Sequence, residues 1–281
     1  MAVIVSRTEL ERLLLEDAPF GDLTSETLSL GRATGTMRFV ARGPMIAALV
    51  EEAASLVEIA GGEVSLSCAT GVALRPSDPI LSARGSATAL LRAWKTAQTL
   101  IEIWSGVATG ARAIVEAARS ASPEVVVACT RKTAPGTRAF ALAAIKAGGA
   151  IAHRAGLSET ILLFPEHRVF LESVALSETA KRLRRAAPEK KLVIEVVTVE
   201  EALAAAEAGF DVIQTEKFPP ERVAEVARLV QQCAPRPVIA AAGGVNAGNA
   251  GAYVEAGADV LVTSAPYLAP PCDVAVTIAP A

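Results

Sequence analysis

Val125-Val126-Val127-Ala128-Cys129-Thr130-Arg131-Lys132 is an apolar run that ends on two cations. The chain continues through Thr133-Ala134-Pro135-Gly136-Thr137-Arg138 into an alanine-rich helical stretch, 139–147. Then Gly148-Gly149-Ala150-Ile151-Ala152-His153-Arg154 repeats the pattern, a short apolar run closing on ionisable side chains. Cations at the ends of buried strands are costly unless something anionic meets them. A pair of structural ion pairs would satisfy this, and so would an anion-binding active site. The rest of the sequence favours the second reading.

The alternation holds from Ser122 onward. Apolar strand candidates lie at 125–129, 150–152, 160–164, 192–197, 211–214, 237–241 and 259–263. Helical stretches at 139–147, 172–185, 199–208, 220–233 and 247–256 separate most of them. Strands buried on both faces and alternating with helices predict parallel βα units. Seven such strands predict an α/β barrel, incomplete at that number, with an open doubly wound sheet as the competing arrangement. Up to about Ala93 the texture differs. A helix at 8–15, a strand at 36–41, a helix at 46–60 and strand segments at 64–66 and 80–85 form an α+β pattern. The tail 273–278 alternates polar and apolar and suits an edge strand. The division expected is an N-terminal α/β domain, 1–104, joined by 270–281, and a barrel, 105–269.

Charge and composition narrow the chemistry. The formal net charge of -3 gives no case for nucleic acid, so any basic site is local to a cleft. Cys68, Cys129, Cys233 and Cys272 stand far apart, and two histidines supply no zinc spacing. Scattered thiols, no secretory signal and no membrane-length apolar run predict a soluble cytoplasmic protein.

Each candidate strand ends on chemistry. Arg131 and Lys132 follow the first, His153 and Arg154 the second, Glu166 and His167 the third. Glu195 lies in the fourth, Glu216 and Lys217 close the fifth, Gly243-Gly244 the sixth and Ser264 the seventh. In a parallel barrel these positions share one rim, where such folds carry their active sites. Gly243-Gly244-Val245-Asn246 before a helix suits a phosphate, although Asn246 is equally a plain N-cap. Glu195 and Glu216 on neighbouring strands suit Mg²⁺ shared with substrate phosphates, or ion pairing with Lys132 or Arg154. No Walker A, nucleophile elbow or HExxH is present. Trp94 and Trp104 read as packing residues, the Lys181–Arg185 charge run as a solvated helix end, and Asp17 and Asp22 as turn formers. His167 either lines the site or caps a turn.

These motifs resemble those of the quinolinate phosphoribosyltransferase family. The likeness rests on Thr130-Arg131-Lys132-Thr133-x-Pro135-Gly136-x-Arg138, on Gly148-Gly149 and on His153-Arg154-x-Gly156-Leu157. Glu16-Asp17-x-x-x-Gly21-Asp22-x-Thr24, Ser105-Gly106-Val107-Ala108-Thr109, Glu195 and Gly243-Gly244-Val245 extend it over nearly the whole chain. The resemblance implies an N-terminal α/β sandwich, a seven-stranded incomplete α/β barrel of the type II phosphoribosyltransferase kind, and a homodimer, or a higher oligomer, with sites between subunits. It also implies transfer from phosphoribosyl pyrophosphate to a small-molecule acceptor with Mg²⁺. Lys132 would then meet pyrophosphate, and Glu195 and Glu216 the ribose hydroxyls and Mg²⁺. Gly243, Gly244 and Ser264 would take the 5′-phosphate. Arg131, Arg138, His153 and Arg154 would hold the acceptor, with Lys95 reaching in from the partner subunit.

The departures bear on the acceptor. Trp94-Lys95 stands where the family has Glu-Arg, and Leu142 and Phe164 where it has lysines. Glu216 replaces the aspartate of Leu-Asp-Asn, and Ala240 the glutamate of Glu-Ala-Ser-Gly-Gly. These changes remove cations that would hold a pyridine dicarboxylate, so quinolinate is not the expected acceptor. Trp94-Lys95-x-Ala97-Gln98, Leu157-Ser158-Glu159-Thr160 and Thr263-Ser264-Ala265-Pro266-Tyr267 are similar to the ModD-type pyrophosphorylase subgroup, which implies a link to molybdenum utilisation. Two other readings stay open: a non-catalytic binder of a phosphorylated ligand or oxyanion, and a sugar-phosphate isomerase or aldolase using Lys132.

Overall fold

The computed structural model describes residues 5–171 and 173–281. Its strands in chain order are β1 (Thr34–Ala41), β2 (Met45–Ile46), β3 (Glu63–Leu66), β4 (Ala73–Leu74), β5 (Pro79–Ser86), β6 (Val126–Cys129), β7 (Ile151–Ala152), β8 (Ile161–Leu163), β9 (Leu192–Val196), β10 (Val212–Glu216), β11 (Val238–Ala242), β12 (Val260–Thr263) and β13 (Val274–Pro280). The helices are α1 (Arg7–Asp17), α2 (Leu23–Thr27), α3 (Val50–Ile59), α4 (Ala87–Ala121), α5 (Arg138–Ala147), α6 (Pro165–Arg168), α7 (Leu176–Ala186), α8 (Val199–Glu207), α9 (Pro220–Val230) and α10 (Ala250–Glu255). Two compact units result. One holds the chain through Arg112 together with Thr133–Gly149 and Pro266–Ala281, the other Ala113–Lys132 with Ala150–Ala265.

The first unit is built on an antiparallel sheet in the order β13-β1-β5-β3. β1 alternates strictly, and its inward residues Met37, Phe39 and Ala41 are almost fully buried. Burying a side chain such as Phe39 contributes roughly 1.5–3 kcal/mol. α3 packs on β3 and β5, and α1 packs on α3, giving a sheet covered by helices. The capping box at Ser6 and Glu9 fixes where α1 begins. The tail strand β13 pairs with β1 and forms one edge.

One element there departs from expectation. The helix read over 46–60 begins only at Val50. Met45–Ile46 pairs instead with Ala73–Leu74, and the Ile46 and Ala48 N–H groups donate to the Thr109 and Ser105 hydroxyls at 2.9 and 3.0 Å. With those donors committed, the chain turns into α3 through Leu49 in the left-handed region, φ +57°.

The second unit carries a seven-stranded parallel sheet in the order β7-β6-β12-β11-β10-β9-β8. Consecutive strands pair from β8 to β12 and from β6 to β7, β12 pairs with β6, and β7 and β8, consecutive in the chain, form the two edges. This cyclic order is that of a barrel left open at one seam. A doubly wound sheet would reverse direction at a switch point, and this one does not. β9 and β11 are buried along almost their whole length, as parallel strands covered on both faces must be. The Thr198 hydroxyl caps α8 by accepting the Glu201 N–H at 3.1 Å. The helix expected over 172–185 runs from Leu176 to Ala186, and Glu172 lies outside the described residues. The helix expected over 220–233 stops at Val230.

The amino edge of this sheet is fastened by ion pairs. Asp211, just before β10, accepts the Leu192 N–H at 2.7 Å and pairs with Arg184 at 3.3 Å. Asp259, just before β12, accepts the Ile239 N–H at 2.8 Å and pairs with Arg236 at 3.0 Å. No described helix is long and apolar enough to cross a membrane, and all four cysteines are free thiols.

Candidate active site

The carboxyl edge of the parallel sheet is arranged differently. Arg131 and Lys132 follow β6, His153 and Arg154 follow β7, and Ser264 follows β12. Glu195 is the penultimate residue of β9, and Glu216 ends β10 rather than following it. Gly243-Gly244 follows β11. Lys95 and Arg138 belong to the first unit. Lys95 lies exposed on α4, its Nζ 3.0 Å from Gln98 Oε1 and over the Trp94 ring, and Arg138 opens α5.

Arg154 is the least exposed charge of the edge, 6% accessible. Among the described residues it forms no salt bridge. Burial, and then the neighbouring Arg131, push its pKa down, yet a guanidinium stays charged throughout the physiological range. Its one described partner is apolar: the guanidinium carbon lies 5.4 Å from the centroid of the Phe164 ring. The ion pairs weighed for Glu195 and Glu216 with Lys132 or Arg154 do not form among the described residues. The carboxyl side does carry one arginine pair, Arg168 with Glu201 at 3.2 Å, but Arg131, Lys132, Arg154, Glu195 and Glu216 form no ion pair among the described residues.

Glu195 is half-buried, and its carboxyl is pushed up by that burial first and by Glu216 next. Gln214 Nε2 donates to Glu195 Oε2 at 2.7 Å and acts against the rise, as does Lys132. Gln214 stands in register with Glu195 on the adjacent strand and is itself 4% exposed. Its Oε1 has no partner among the described residues. Sequence reasoning passed over Gln214. The available signal was an amide side chain inside a strand candidate, two residues before Glu216.

His153 donates its backbone N–H to the Cys129 carbonyl at 2.8 Å, which fixes the end of β7 against β6. Burial, and then Arg154, hold its imidazole below the ordinary range, so the ring is a neutral donor and acceptor at pH 7 rather than the cation grouped with its neighbours. A depressed histidine pKa means the unfolded chain takes up the proton more readily. Stability linked to His153 is complete above about 6.5, the unfolded value, and is lost as pH falls through the lower folded value. His153→Gln is therefore expected to flatten the decline of the urea midpoint between about pH 7 and pH 5. An unchanged decline would place its cause elsewhere.

The glycine turn is tied down from two sides. Thr263 Oγ1 donates to the Val245 carbonyl at 2.6 Å, and the Lys217 N–H donates to the Ala242 carbonyl at 2.7 Å. Ser264 Oγ shares a 2.6 Å hydrogen bond with Thr130 Oγ1. The helix after the turn runs from Ala250 rather than Ala247, and Asn246 caps the turn that leads into it: its Oδ1 accepts the Gly248 N–H at 2.9 Å, its carbonyl accepts the Ala250 N–H at 3.0 Å, and its own N–H donates to Asn249 Oδ1 at 2.8 Å. Asn246 and Asn249 also both donate side-chain amides to the Gly244 carbonyl, at 3.0 and 3.1 Å. His167 resolves as a turn cap: the Phe164 N–H donates to its Nδ1 at 3.0 Å.

In the first unit, Lys95 borders a cavity of about 630 Å³ shared with Glu16, Asp17, Thr133, Thr137 and Trp104. Trp104 stacks on Phe140, centroids 6.0 Å apart, the packing role expected of it. Asp22 caps α2, accepting the Thr24 N–H at 3.1 Å and the Ser25 hydroxyl, a turn-forming role.

Comparison with known proteins gives this arrangement a family. The model described as "Quinolinate phosphoribosyl transferase, C-terminal domain" matches residues 107–277, and its N-terminal counterpart matches 22–105. A Rhodobacter capsulatus protein named "Putative pyrophosphorylase ModD" is 49% identical over 249 residues, 88% of this chain and 95% of that one. The nicotinate-nucleotide pyrophosphorylase [carboxylating] of Mycobacterium leprae is 29% identical over 265 residues, 92% of each chain. The fold is that of the NadC crystal structure from Streptococcus pyogenes, with a TM-score of 0.89 over 100% of both chains at 22% identity. The chain belongs to the quinolinate phosphoribosyl transferase family, a family of phosphoribosyl-transferring enzymes.

Proposed function

We propose that this enzyme transfers the phosphoribosyl group of phosphoribosyl pyrophosphate to a small anionic ring acceptor and releases pyrophosphate. The observation that carries this reading is Arg154, buried, charged and without a carboxylate partner among the described residues, on the sheet edge that also bears Glu195 and Glu216, neither in an ion pair among the described residues. Leaving such a guanidinium uncompensated is costly unless an anionic ligand completes it.

In the reaction the bond between the ribose C1 and the pyrophosphate oxygen breaks, and a ring nitrogen of the acceptor bonds to C1. Positive charge develops on the ribose while negative charge collects on the leaving group. Lys132 is assigned to the leaving pyrophosphate, and Glu195 and Glu216 to the ribose hydroxyls, where carboxylates favour the developing cation. The backbone of Gly243-Gly244, with Ser264, is assigned to the 5′-phosphate. Arg131 and Arg154 suit bidentate capture of an acceptor carboxylate, with neutral His153 as a further hydrogen-bonding group and Arg138 in the same set.

Glu195 and Glu216 fit Mg²⁺ by their chemistry, two hard oxygen donors on adjacent strands. No cluster of three metal-ligating side chains exists among the described residues, so substrate phosphates and water would complete the coordination. The ion, when bound, neutralises charge on the leaving group.

The active form in this reading is a homodimer in which the partner subunit's Lys95 completes the acceptor site. Phe20 (96% exposed), Leu23 and Leu268 give the first unit apolar surface for such contact. The link to molybdenum utilisation that the ModD-type resemblance implies is part of the same proposal.

Pyrophosphate release from phosphoribosyl pyrophosphate, measured across a panel of ring carboxylates, tests the reading. Quinolinate is expected to be inert, because Phe164 occupies the face of Arg154 and Leu142 supplies no charge. Brisk quinolinate turnover would contradict this acceptor assignment. A donor that binds but is never consumed, whatever ring is offered, would favour a non-catalytic binder.

A further inference from the structure

Lys217 adopts a left-handed backbone, φ +57°, although it is neither glycine nor asparagine. That conformation is a local cost for a long side chain and persists where the surroundings fix it. Here they do. The Lys217 N–H donates to the Ala242 carbonyl at 2.7 Å and locks the end of β10 beside the glycine turn. The side chain then lies along that turn: a Cβ placed on Gly243 would stand 2.6 Å from Lys217 Cγ and 3.0 Å from Glu216 Oε1. A residue with ordinary helical or extended backbone would carry its stem elsewhere. Lys217 is exposed, and its ammonium forms no salt bridge or hydrogen bond among the described residues.

We propose that Lys217 is an anion-binding residue whose ammonium holds a phosphate monoester seated on the Gly243-Gly244 turn. The inference rests on the reading that this turn takes the 5′-phosphate, and it adds the cation which that site otherwise lacks. The turn itself offers backbone groups alone, and neighbouring Glu216 would repel a phosphate unless a positive charge stood between them. A compact ammonium on a flexible stem suits a rotating phosphate better than a planar fork would. Lys132, in the segment after β6, is left for the pyrophosphate, so the two lysines divide the two ends of the donor.

The test is calorimetric titration with ribose 5-phosphate in one arm and inorganic pyrophosphate in the other. Wild type, Lys217→Asn and Lys217→Arg are compared, with a melting curve for each. Asparagine tolerates the left-handed backbone and removes the charge; arginine keeps the charge. Lys217→Asn is expected to weaken ribose 5-phosphate about tenfold, the loss of one charge-assisted contact, with no fall in Tm. Lys217→Arg should retain most of the affinity, and pyrophosphate binding should be unchanged in both. Unaltered ribose 5-phosphate affinity in Lys217→Asn would overturn this inference alone. An equal loss for pyrophosphate would overturn the division between the lysines. A wild-type protein that binds neither probe would overturn the parent reading and this one together.

Discussion

Glu195→Gln is expected to lower turnover of phosphoribosyl pyrophosphate by about 10²–10³-fold, the loss typical of removing one preorganised charge from a transition state. The substitution is nearly isosteric. Gln214 Nε2, 2.7 Å from Glu195 Oε2, finds an amide oxygen to donate to in place of the carboxylate, so packing and that hydrogen bond survive. What disappears is a negative charge held beside Glu216 at a half-buried position. Removing it also relieves repulsion between the two carboxylates, so stability should hold or rise slightly. The expected pattern is a collapse of kcat with an unchanged melting curve. A near-wild-type rate would remove Glu195 from the chemistry and leave it a structural acid.

Gly243→Ala should abolish donor binding and destabilise the fold, whereas Gly244→Ala should do much less. Both glycines have positive φ, +87° and +89°, so alanine pays for a left-handed backbone at either. Their surroundings differ. A Cβ on Gly243 would lie 2.7 Å from the Lys217 nitrogen, 2.6 Å from its Cγ and 3.0 Å from Glu216 Oε1, while a Cβ on Gly244 meets nothing within 4 Å. The Lys217 nitrogen has no freedom to retreat, because its hydrogen is held by the Ala242 carbonyl. Strain of this kind costs about 1–3 kcal/mol, which for a chain of this size lowers Tm by on the order of 5 °C. The collision also displaces Glu216 and Lys217. Differential scanning calorimetry on the two variants reads the contrast directly, and equal losses at both positions would mean that backbone strain alone is at work.

The parallel half of this fold was legible because its strands are unbroken apolar runs, such as Leu192–Ile194, buried on both faces. A strand of that kind needs no partner to be recognised. Which residues end the strands was legible for the same reason, and it placed Arg131, Lys132, Arg154, Glu195 and Gly243 on one edge. What could not be read locally depends on contacts distant in sequence. Met45–Ile46 looks helical until Thr109 and Ser105 claim the backbone donors nearby. Asn246 was legible as a cap, but not the turn that it and Asn249 hold ahead of Ala250, which rests on their bonds to each other, to Gly248 and to the Gly244 carbonyl. Gln214 matters through its register with Glu195, and Lys217 through a backbone angle, neither visible in composition. His153 reads as a cation beside Arg154 until its burial is known.

In the proposed reaction Lys132, the Gly243-Gly244 turn and the acid pair act together on one phosphorylated donor. Calorimetric titration of the wild-type protein with phosphoribosyl pyrophosphate, with and without Mg²⁺ and repeated on Lys132→Ala, tests that most directly. Binding that requires Mg²⁺ and is lost in Lys132→Ala is the predicted result. No heat of binding from a folded wild-type protein, or full-strength binding in the variant, would contradict it.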